Sequence, residues 1–172
     1  MDPQSKLTYT PAVQQALSQI DSEAPSSQPS KKLSYTPAVQ QALSQIQGNE
    51  PAPQDVQTAD SQQGRQDLNG WCESAVEQWA GLPKMGTTAK DAWNNFVSQK
   101  KAYSGLQGIQ PGDLVYYDAA PGNHNEGHVG LFENYDSQGN PIMISATDVG
   151  VRRDDINQWS QKEAPLLGYV QP

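Results

Sequence analysis

Gly70-Trp71-Cys72-Glu73-Ser74-Ala75-Val76-Glu77-Gln78-Trp79 is the stretch on which the reading of this chain turns, and it carries the only cysteine. Cys72, Ala75, Val76 and Trp79 recur at helical spacing, which predicts a helix over about 72–80, stopped by Gly81 and Pro83. Cys72 then falls in the first turn. Unpaired N–H groups and the positive end of the helix dipole favour a thiolate there, so a lowered thiol pKa is expected. The same N–H groups suit the oxyanion of an attacked carbonyl.

Outward from this helix the pattern changes from helix to strand. Thr87–Lys100 predicts a second helix, with Ala89, Ala92, Trp93, Phe96 and Val97 apolar. Leu114–Tyr117 reads as a strand entered through Pro111-Gly112, and Pro121–Glu126 as a polar loop. His128–Tyr135 reads as a strand with His128, Gly130 and Phe132 on one face. Asp136–Asn140 is a turn, Ile142–Thr147 a strand, Asp154–Trp159 a short helix and Leu167–Val170 a closing strand. Helices followed by an antiparallel sheet predict an α+β domain over 67–172.

The first 66 residues read differently. KLTYTPAVQQALSQI at 6–20 recurs as KLSYTPAVQQALSQI at 32–46, an internal duplication. Thr10 and Thr36 are suited to cap helices begun by Pro11 and Pro37. Tyr9, Val13, Leu17 and Ile20 and their copies Tyr35, Val39, Leu43 and Ile46 are the candidate partner-binding residues. Helices of about ten residues are marginal alone in water. They either pack on the chain's own domain or fold into a partner's groove, and near-identity favours the second. The spacer 21–31 spans roughly 18 Å r.m.s., enough to engage two equivalent sites on an oligomeric partner. Residues 47–66 lack apolar periodicity and read as a linker, which puts the domain boundary near 66.

Composition narrows the function. A net charge of -8 argues against a nucleic-acid footprint. No apolar run approaches the roughly 20 residues of a membrane span. Met1–Ser5 does not read as a secretion signal. One cysteine excludes an internal disulfide and a Cys-rich zinc site, and neither metal nor cofactor is expected.

A lone cysteine or histidine is more often structural. Here the cysteine at a helix start and the histidine in Gly127-His128-Val129-Gly130 point together to a nucleophile and its base. From about 68 to 171 the chain resembles the NlpC/P60 cysteine peptidases, papain-like enzymes that cut peptidoglycan stem peptides. PGDLVYY at 111–117 resembles the strand before that family's histidine, and GHVGLFENY at 127–135 its histidine strand. ISAT at 144–147, GVRRDDI at 150–156 and LLGYV at 166–170 continue the order. The related CHAP amidases share the Cys-then-His order.

The resemblance implies a papain-like domain whose Cys72 helix packs on the antiparallel sheet, with Cys72 and His128 catalytic. It departs from the family at Trp71-Cys72-Glu73, where Asp-Cys-Ser is usual. The third catalytic position, usually His, Asn or Gln, matches Ser145; Thr147 and Asp148 are near enough in sequence to substitute. Trp71, Glu73 and Tyr117 are candidate substrate contacts. Glu126 and Asp118 are read as an acidic rim, and His124 as a loop residue with a lesser claim to catalysis or metal binding. The expected partner is the peptidoglycan stem peptide, cleaved between D-glutamate and the diamino acid. The expected setting is a phage particle, with the repeats anchoring the enzyme to an oligomeric capsid or tail protein. An exported effector, a catalytically dead adaptor and an amidase of other substrates are the alternatives.

Overall fold

Alternation along the strands sorts their side chains into two layers, and the helices cover both. The structure, a computed structural model, describes residues 52–172. Its elements are α1 (Gln54–Asp60), α2 (Cys72–Trp79), α3 (Ala89–Ser98), β1 (Ala102–Ser104), β2 (Leu114–Tyr117), a 3-10 turn (Pro121–Asn123), β3 (His128–Tyr135), β4 (Pro141–Thr147), β5 (Gly150–Asp155), α4 (Ile156–Lys162) and β6 (Leu166–Val170). All strand pairs are antiparallel, in the order β1-β6-β2-β3-β4-β5. The domain is therefore α+β, as the order of helices and strands predicts.

Leu114 and Tyr116 of β2, Val129 and Leu131 of β3, and Ile144 and Ala146 of β4 face one layer. There they meet Ala75, Val76 and Trp79 of α2 and Ala89, Ala92 and Trp93 of α3. Val115, Tyr117, Phe132 and Met143 face the opposite layer, closed by Ile156 and Trp159 of α4. Period-two alternation alone produces this division. It explains why β2 is buried along its whole length.

Three elements differ from the sequence reading. The stretch read as a linker contains α1, whose Val56 and Ala59 are buried in the main core. Among the described residues, 52–66 pack with the domain that follows them. Seven residues with two apolar positions are too few to show a period, and only packing reveals their direction. This stretch is also tied in by hydrogen bonds: Trp79 Nε1 donates to Gln62 Oε1 at 2.8 Å, and Val151 N donates to Arg65 O at 2.9 Å. β1 and β5 are the other additions, both at sheet edges, where polar residues such as Arg152 and Arg153 hide the strand pattern. The 6–20 and 32–46 repeats, with their candidate partner-binding residues, lie outside the described residues.

Candidate functional site

α2 begins without a side-chain cap. Its N-cap is Trp71, which makes no capping hydrogen bond. By contrast, Thr88 caps α3 by accepting from Asp91 N, and Asp155 caps α4 by accepting from Asn157 N and Gln158 N. The uncapped start of α2 opens into a groove of about 420 Å³ at the end of the sheet where β3 starts and β4 finishes.

Cys72, His128, Trp71, Glu73, His124, Glu126, Thr147 and Asp148 all line this groove. Cys72 packs against the layer that α2 and α3 cover. His128 enters from the other side. Its buried ring stacks on Trp159, with centroids 4.5 Å apart. Gly127 makes this entry possible. It has φ +77, and a Cβ there would lie 2.9 Å from Lys90 N and 3.0 Å from Tyr117 O.

The electrostatics depart from the expectation at the helix start. Burial pushes the Cys72 thiol up to about 11, with the charge of Glu73 adding to the rise. The N–H groups of Val129, Glu73 and Cys72 oppose it but are outweighed. Burial likewise lowers His128 to about 4, against a small upward pull from Asp148. The resting pair is therefore a neutral thiol and a neutral imidazole near pH 7. The expected lowering of the thiol pKa is reversed, because the dipole acts within one turn while desolvation acts on the whole group.

Glu73 is the least satisfied group in the groove. It is 7 % exposed, and neither carboxyl oxygen has a hydrogen-bond partner among the described residues. Burial, then the charge of Glu77, raises it to about 8, so it is largely protonated at neutral pH. The hydroxyl of Tyr116, in the layer that α2 covers, is also buried and unpartnered among the described residues.

The third position stays open. Ser145 is fully buried beside Gly130, where a Cβ would lie 3.1 Å from its own. Ser145 Oγ and His128 Nε2 are both buried without a partner among the described residues. Thr147 Oγ1 is committed to the β4–β5 turn, donating to Gly150 O at 2.9 Å and accepting from Val149 N. Asp148 Oδ2 is bound to His124 Nε2 at 2.8 Å, and His124 sits in the left-handed region at φ 57.

Three candidates fall outside the groove: Ser145, Tyr117 and Asp118. Tyr117 is fully buried and donates its hydroxyl to Ile156 O at 3.2 Å. Asp118 pairs with Lys90 Nζ at 2.6 Å, which holds its carboxyl below the usual range. Sequence reasoning missed Trp159 as the ring beneath His128. No local signal marks it, since Trp159 is distant from His128 in the chain and only folding stacks the two rings. Among the described residues, no group of three or more His, Cys, Asp or Glu is arranged to hold a metal ion. No described helix is long and apolar enough to cross a membrane.

The fold and groove thus define an α+β domain with a cysteine and a histidine on one open cleft. Comparison with protein-family models, with curated proteins and with solved structures finds no match.

Proposed function

We propose that this domain is a papain-like cysteine peptidase or amidase of the NlpC/P60 kind, acting on peptidoglycan stem peptides. The observation that carries the reading is one groove lined by Cys72, at the uncapped start of α2, and by His128, at the start of β3. The Cys72 sulfur attacks the amide carbonyl carbon while His128 takes the thiol proton. The N–H groups of the first turn of α2 are the donors for the oxyanion that forms. The imidazolium returns its proton to the leaving amine, and the C–N bond breaks. Water, deprotonated by His128, then releases the acyl group as a carboxylic acid and restores the thiol. Because both groups rest neutral, the proton moves during attack rather than before it.

In this reading Ser145 occupies the third position, although its Oγ and His128 Nε2 make no hydrogen bond to each other or to any other described residue. The 6–20 and 32–46 repeats anchor the enzyme to an oligomeric phage capsid or tail protein, and the particle delivers it to the wall; an exported effector is the other route. Incubating the full chain with purified peptidoglycan should release new amines, and Cys72→Ala should release none. No release by the wild type would refute hydrolysis. The outcome would then favour a silent adaptor, a reading supported by the neutral pair and by the lack of a carboxylate or amide partner for His128 Nε2 among the described residues. Deleting both repeats should abolish recruitment to the particle, and unchanged recruitment would refute the anchoring role.

A further inference from the structure

Trp71 is an unusual neighbour for a nucleophile. It is 64% exposed, lines the groove, and its indole makes no ring contact or hydrogen bond among the described residues. A large aromatic surface left wet beside a reactive group forgoes the free energy of burial, and such surface commonly marks a contact site. Next to it lies a fixed polar pair. A Cβ built on Gly70 would sit 3.6 Å from Asp148 Oδ1, so this carboxylate borders the residue that precedes Trp71. Asp148 Oδ2 is held by His124, which leaves Oδ1 to accept from a ligand.

We infer that Trp71 and Asp148 form a saccharide subsite that seats a pyranose of the glycan strand beside Cys72. A pyranose ring offers an apolar C–H face to the indole and a fringe of hydroxyl donors to a carboxylate. The choice of sugar rests on the cell-wall reading. If it holds, the scissile amide lies near the glycan end of the stem.

The test uses the full chain and a peptide-free oligomer of β-1,4-linked N-acetylglucosamine, titrated by calorimetry and by NMR of the indole N–H signals. The wild type should bind, with the Trp71 signal shifting. W71A should weaken binding roughly tenfold or more, W71F by less, and D148N measurably. Circular dichroism and melting should be unchanged for these variants, because both residues lie at the surface. Cys72→Ala should bind the sugar as well as the wild type does. Absence of saturable binding by the wild type, or binding unaffected by W71A, overturns the subsite. Because the probe carries no stem peptide, failure here leaves the hydrolase reading standing. Failure of hydrolysis with sugar binding intact would remove only the chemistry.

Discussion

Replacing Glu73 by Gln should change how stability depends on pH, and the magnitude follows from its burial. Glu73 is raised from an ordinary 4.5 to about 8 in the folded chain. The unfolded chain releases this proton near pH 4.5, whereas the folded chain keeps it until about pH 8. Its contribution is thus fully present below 4.5 and is lost as pH rises toward 8. Integrated between pH 5 and pH 8, the loss is about 3 kcal/mol. Glu73→Gln removes this titration while nearly keeping shape. His128 and Asp113 also titrate over part of the window, His128 losing stability as pH falls and Asp113 as it rises. Both are present in each protein, so they cancel in the difference. Urea unfolding followed by tryptophan fluorescence at several pH values would give the two stability curves. The gap, mutant minus wild type, should grow by about 3 kcal/mol from pH 5 to pH 8, whatever its starting value. A gap constant across this range would refute the claim that Glu73 is buried as a neutral acid.

Three other outcomes are expected. Cys72 should alkylate with iodoacetamide about a hundredfold more slowly than a free thiol at pH 8, and faster as pH climbs toward 11; reaction at the free-thiol rate would show an exposed or activated sulfur. Val56→Ala should cost ~2 kcal/mol in urea unfolding, because Val56 is 1% exposed in the main core, and a variant as stable as the wild type would show that α1 is not part of the domain. Gly168→Ala should lower the melting temperature strongly, since φ is +146 and the new Cβ would lie 1.9 Å from Tyr103 O, so β1 must part from β6; a variant that melts like the wild type would refute that pairing.

Much of the site was legible in the order of residues. Helical spacing located Cys72 at a helix start, and the Gly127-His128-Val129 turn into a strand located His128. What spacing could not convey was environment. A helix end lowers a thiol pKa only where water still surrounds the sulfur, but Cys72 packs against the core, and its pKa moves the other way. Tyr117 shows the same limit, since its neighbours in the chain suggested a groove while strand alternation turns it into the opposite layer.

By itself, then, the sequence determined the elements whose periods are long or strongly marked: α2, α3 and the strands β2, β3, β4 and β6, with the cysteine and histidine at two element starts. It also determined the duplication at 6–20 and 32–46. Tertiary structure alone decided that α1 belongs to the core, that Trp159 lies under His128, that Asp148 is bound to His124, and that Glu73 is sealed without a partner among the described residues. The physical reason is range. Periodicity and capping act over one or two turns of chain, whereas burial and charge are set by residues that only folding brings near.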